Sequence, residues 1–94
     1  MTVPRRIIIE GAMLTGMADV WETLAALLDL PDHFGRNLDA LHDSLTADVP
    51  GPLAIEWREA AASRAALGDG FDRLRATLED AARARPDLEV RFRD

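Results

Sequence analysis

The sequence predicts an α/β fold in which a three-stranded parallel sheet carries helices packed against it. Two observations lead there. Three short runs of strand character surround Ile8, Ile55 and Val90, and each is separated from the next by segments of helical periodicity. Strands joined through helices pair in parallel, because a parallel link has to cross back over the sheet, and such crossovers are right-handed. At 94 residues the chain fits one domain, residues 1–94, whose core is adequate but modest.

The elements follow in order. "RIIIEG" is an apolar run closed by glycine and predicts a buried strand over Arg6 to Glu10. In "TGMADVWETLAALLDLP", Met17, Val20, Trp21, Leu24, Leu27 and Leu28 recur at helical spacing, Thr15 is placed to cap the helix, and Pro31 stops the chain from continuing. "DHFG" predicts a turn in which Gly35 takes a backbone shape other residues resist. Asn37 then caps a second helix with Leu38, Leu41 and Leu45 as its inward stripe. After the loop "DVPGP", Leu53 to Trp57 read as a second strand. "REAAASRAAL" is an alanine-rich helix broken by Gly68 and Gly70. "FDRLRATLEDAARA" is a further helix, with Phe71, Leu74, Leu78 and Ala81 on one face. "LEVRF" alternates apolar and charged residues, as a half-buried strand does. Trp21 and Trp57 are expected in the core.

Composition narrows the function. A net charge of -6 and a pI near 4.8 argue against nucleic acid or an anionic membrane as partner and favour a basic one. The chain has no cysteine, which rules out disulfides and thiolate chemistry. The paired arginines of "MTVPRRIII" precede an apolar run too short for an export signal, and no window reaches membrane-spanning length, so a soluble cytoplasmic protein is expected. Every basic side chain is arginine, which reads as a habit of genome composition.

The stretch "HFGRNLDALHDSL" sets Asp39 and Asp43 one helical turn apart, where like charges repel at a cost of a few tenths of about 1 kcal/mol. With Leu38 at zero and roughly 100° per residue, Asp39 and Asp43 fall at about 100° and about 140°, and His42 at about 40°. The helix therefore carries an acidic face flanked by an imidazole, with His33 and Gly35 just before it. Asp39 lies in the first turn, where the helix dipole favours a carboxylate, but Asp43 lies beyond that turn. Two carboxylates and a histidine could serve acid–base chemistry or hold a metal, and that reading requires a concave pocket around Asp39, His42 and Asp43. Neighbouring positions on one convex helix diverge, which suits an interface better. No phosphate-cradling glycine loop, HExxH or nucleophile elbow is present, so no catalysis, cofactor or metal is expected.

"LPDHFGRNLDALHDSLT", Leu30 to Thr46, resembles the signature of the barstar family, the intracellular inhibitors of barnase-type ribonucleases. "IIIEG", the helix bearing Asp19, "PLAIEW", Trp57 with Arg58, the break at Gly70 and the last strand follow in family order, so the resemblance runs from about Ile7 to Phe92. It implies a three-stranded parallel sheet with packed helices, in agreement with the layout above. It also implies inhibition by plugging, with the second helix and the turn before it entering a ribonuclease active site one-to-one. Carried across, Asp43 matches the family's central aspartate and Asp39 a second contact aspartate. Asn37 and Gly35 match positions that shape and line the surface. Thr77 and Asp80, on the last long helix, fall where the family presents a further contact residue and an acidic one. The chain departs from the pattern at His33, where tyrosine is usual, at His42, where tryptophan is usual, and at Ala47 and Asp48. Asp80 is shorter than the usual glutamate. These departures leave open a different ribonuclease, such as a toxin for which the chain would be the immunity protein, or an interaction module with another basic partner. The free protein is expected to be a monomer.

Overall fold

The computed structural model describes residues 3–94; Met1 and Thr2 of the expected domain lie outside the described residues, while the paired arginines Arg5 and Arg6 open the first strand. Strand β1 spans Arg5–Glu10, β2 Leu53–Arg58 and β3 Leu88–Phe92. Helices α1 (Met17–Leu27) and α2 (Leu38–Asp43) lie between the first two strands, and α3 (Ala60–Leu67) and α4 (Asp69–Ala84) between the last two. A 3-10 turn, Gly11–Met13, follows β1, and a π turn, Ser44–Asp48, prolongs α2. The strands form one sheet in the order β1-β2-β3, both pairs parallel, with Ile7 opposite Ile55 and Ile55 opposite Val90.

The core lies between the helices and one face of the sheet. Ile7, Ile9, Leu53, Ile55, Trp57 and Leu88 are buried there with Val20, Leu24, Leu41, Leu45, Phe71, Leu74 and Leu78 from the helices. Trp57, Phe71 and Phe92 form a mutual aromatic cluster, and the Trp57 indole donates to Ser63 Oγ at 2.9 Å. Ser63 passes the bond on to the carbonyl of Gly11, also at 2.9 Å. Gly11 is needed for space here. A Cβ would stand 2.2 Å from the carbonyl oxygen of Arg58 and 2.4 Å from Ser63 Oγ.

Several local expectations are corrected. Thr15 is not the cap of α1. Gly16 occupies that position, and the Asp19 carboxylate in the first turn reaches back to the Thr15 amide and hydroxyl at 2.9 and 2.6 Å. Those bonds hold Asp19 below its ordinary pKa. The helix ends before Pro31, with Asp29 left-handed at φ 57° and the amide of Leu30 bonded to the Ala25 carbonyl, a Schellman closure. Trp21 is only half-buried and Leu27 is exposed, while Val20 and Leu24 carry the burial of α1. Gly68 alone separates α3 from α4, at φ 60°, while Gly70 lies inside the first turn of α4, where a Cβ would press the Met17 sulfur at 3.2 Å.

Among the described residues no helix covers the opposite face of the sheet. That face presents Arg6, Ile8 and Glu10 from β1, Ala54, Glu56 and Arg58 from β2, and Glu89 and Arg91 from β3. Parallel sheets are ordinarily covered on both sides, and here long side chains substitute for a second helical layer. At the centre Glu56, with a side chain 9% accessible, accepts from Arg6 and Arg58 at 2.7 Å each and lies 3.4 Å from Arg93.

The hydrogen bond from Arg58, then that from Arg6, lowers Glu56 from an ordinary 4.5 to about 2. A carboxyl depressed on folding adds stability that is complete above its unfolded pKa and is lost as pH falls towards the folded one. Urea unfolding midpoints should therefore decline between pH 4.5 and about 2, and Glu56→Gln should reduce both neutral-pH stability and the steepness of that decline. An unchanged acid slope in the variant would remove Glu56 as the cause.

Candidate functional site

The loop entering α2 is built around Phe34. Its ring is buried and meets Trp21 edge-on at 6.2 Å, and its amide closes a turn onto the carbonyl of Pro31 at 2.9 Å. The unusual backbone predicted at Gly35 is found one residue later, because Arg36 is left-handed at φ 49°. Such a conformation costs a non-glycine residue about 1 kcal/mol or more. The Arg36 side chain holds it in place, donating to Glu22 of α1 at 3.0 Å and to the carbonyl of Phe34 at 3.3 Å. Gly35 is constrained by room instead, since a Cβ there would lie 3.1 Å from that of Ala40 and 3.3 Å from Asn37 Nδ2.

Asn37 caps α2 as expected. Its side-chain oxygen accepts from the Ala40 amide at 2.8 Å while its Nδ2 donates to the carbonyl of Gly35 at 3.2 Å. Leu41 and Leu45 are wholly buried and Leu38 half-buried, so the inward stripe points to the core. The opposite side presents Asp39 and Asp43, both exposed and in no ion pair among the described residues, with His42 half-buried beside them and His33 exposed in the preceding turn.

Beyond Asp43 the helix widens into the π turn, where the Val49 amide bonds the Ser44 carbonyl at 2.8 Å. Thr46 Oγ1 donates to the carbonyl of His42 at 2.8 Å. The end of the turn is clamped by Arg85, whose guanidinium donates to the carbonyls of Leu45 and Val49 at 2.6 Å each and pairs with Asp87 at 2.6 Å. The same arginine lowers the pKa of Asp87. Gly51 leaves room for this cluster, since a Cβ there would stand 2.1 Å from Arg85 Nη2. Arg36 and Arg85 carry no sequence signal of these roles. Each bonds a backbone carbonyl, and neither spacing nor periodicity encodes such a contact.

Thr77 and Asp80 lie on α4, which packs directly against α2. The Thr77 hydroxyl donates to the carbonyl of Arg73 at 2.9 Å, and Asp80 pairs with Arg83 one turn on. The element positions of all eight predicted residues thus fall on two neighbouring helices and the loop before one of them, although Asp80 is already engaged.

Two clefts are described, one on the open side of the sheet and one beside α1, and neither is lined by Asp39, His42 or Asp43. Among the described residues no group of three or more His, Asp or Glu could hold a metal. What the face offers is fixed negative charge on a convex, well-anchored helix, suited to a concave cationic surface.

Residues 5–93 match the model of the family described as Barstar (barnase inhibitor). The chain is also 36% identical over 77 residues to a protein of Bacillus subtilis (strain 168) named "Putative ribonuclease inhibitor YrdF", an alignment covering 82% of this chain and 85% of that protein.

The cap predicts its own test. Asn37→Ala should cost roughly 1 kcal/mol of stability in chemical denaturation, and Asn37→Ser should restore most of it. Equal losses in both variants would show that the bond to the Ala40 amide is not what fixes the start of α2.

Proposed function

The chain belongs to the barstar family, and from that premise we propose that it inhibits a basic, barnase-type (guanyl-specific) ribonuclease by laying the acidic face of α2 into the enzyme's active site. As a family member it is a ribonuclease inhibitor and not an enzyme. The observation that carries the finer reading is the exposure of Asp39 and Asp43 on a helix pinned at both ends. A ribonuclease gathers cationic groups to stabilise a phosphoryl transition state. Asp43 occupies the place of the scissile phosphate among them, Asp39 meets a second cation, and Gly35 and Asn37 line the approach. Thr77 adds a contact from α4. Asp80 exchanges Arg83 for a cation of the enzyme. Binding is one-to-one by a free monomer in the cytoplasm, and it needs no cofactor.

Opposite charge speeds encounter, while desolvated pairs slow release. The repulsion between Asp39 and Asp43 is then relieved on docking, since cations come to lie between them. Calorimetric titration into a barnase-type ribonuclease should give tight one-to-one binding that weakens with salt. Asp43→Ala should lose roughly 2–5 kcal/mol, the ordinary result of removing one member of a buried charge pair. Absence of binding to any such enzyme, including one encoded beside this chain, would overturn the proposal.

One observation favours a second reading, that of an immunity protein for a different ribonuclease, a toxin. His33 and His42 flank the acidic face where aromatic side chains would supply anchoring area. Restoring the aromatic side chains with His33→Tyr/His42→Trp should tighten binding to a barnase-type enzyme in calorimetric titration, and unchanged affinity would exclude a role for the two histidines in choosing the target.

A further inference from the structure

We propose that the open face of the sheet is a second docking surface, built to receive an acidic, extended polypeptide segment. Its charge is the reverse of the molecule's. The chain carries a net charge of -6, yet this face and its C-terminal edge present four arginines, Arg6, Arg58, Arg91 and Arg93, against Glu10, Glu56 and Glu89. The arginines are both exposed and held. Their side chains are 62%, 44%, 65% and 58% accessible, while Glu56 beneath them, at 9%, gathers three of the four.

Glu56 acts as an organiser. A guanidinium has five donor hydrogens, and only one or two of each arginine's nitrogens are engaged by these carboxylates, so donors remain on side chains that are both tethered and exposed. Ordering such side chains normally costs binding energy, and here much of that ordering is already present in the folded chain. A cleft of about 450 Å³ on this face is lined by Arg6, Arg91 and Arg93 together with Glu56, Glu89 and Ala54. An extended chain with carboxylates spaced along it can engage each fork in turn, two oxygens to two donors.

Nucleic acid fits less well. Aromatic platforms are what hold unpaired bases, and Trp21, Phe34, Trp57, Phe71 and Phe92 all belong to the helical layer and its core. Glu10, Glu56 and Glu89 also interrupt the arginines, which opposes a continuous phosphate backbone but leaves room for spaced carboxylates. The surface is on the other side of the sheet from α2, so it is independent of ribonuclease binding and open to a partner while α2 is occupied.

Fluorescence anisotropy tests this on the full chain, with a labelled peptide of alternating Glu and Ser as probe and a Lys/Ser peptide and a single-stranded RNA of equal length as comparisons. The Glu/Ser peptide should bind saturably at low ionic strength and weaken as salt rises. The double variant Arg6→Glu/Arg91→Glu should weaken it about tenfold or more and Arg91→Glu alone should weaken it clearly, while Arg73→Glu, which matches the charge change of Arg91→Glu but lies on exposed α4, should bind nearly as the parent does. Thermal melts show whether the double variant folds. If it does not, Arg91→Glu alone, which disturbs only the pair with exposed Glu89, carries the test. No saturable binding, equal weakening by Arg73→Glu, an unaffected folded arginine variant, or tighter binding of the RNA would each overturn the proposal.

Discussion

The constraint on which the rest of the structure depends is that three strands run parallel and sequentially neighbouring strands are hydrogen-bonded partners. Every link must then travel the length of the sheet, and this chain fills each link with helices. Because the helices gather on one face, β2 sends Ile55 and Trp57 inward and Glu56 outward with the strand's alternation of two, and the neighbouring strands follow. The layer fixes α2 as well. Leu41 and Leu45 are committed to the core, so whatever occupies the opposite side of that helix must face solvent. The fold thus creates an outward surface, and the sequence makes it acidic.

Holding that surface still requires more than burial. The run from Leu38 through the π turn is short, and isolated helices of such length are marginal in water. Its order comes from its ends. Phe34 fixes the entering loop in the core, Arg36 straps the left-handed residue to Glu22, and Asn37 satisfies the first turn. At the far end Arg85 takes up carbonyls that the widened turn leaves free. These contacts offset the backbone strain at Arg36 and the repulsion between Asp39 and Asp43. A site loosened at either end would move its carboxylates and lose much of the advantage of charge fixed before binding.

What was legible in the sequence followed from periodicity and from local chemistry. The Leu41–Leu45 stripe, the Phe71 to Ala81 face and the Asn37 cap each depend on residues within a few positions of one another, and all are present. Thr15 misled because a threonine before a helix is a frequent cap, whereas Asp19 four residues on makes the bond in the reverse direction. Gly35 misled because glycine and positive φ are so often joined. Here the glycine leaves space beside Ala40 and an ion-paired arginine takes the strain. The bare face of the sheet gave no warning either. Its control by Glu56 depends on Arg6 and Arg93, far away along the chain, and only the register of three strands brings them together.

That register has an electrostatic consequence. With Arg6, Arg58, Arg91 and Arg93 set against Glu10, Glu56 and Glu89 on the open face of the sheet, the net charge of -6 resides in the rest of the molecule. A cationic partner is then attracted to the rest of the surface rather than to the sheet side, where charge is nearly balanced. Uniformly distributed acid would raise the encounter rate without choosing a side. Keeping the excess acid off one face of the sheet favours productive orientation before any contact is made, and it leaves the final fit to the few carboxylates that α2 holds in place.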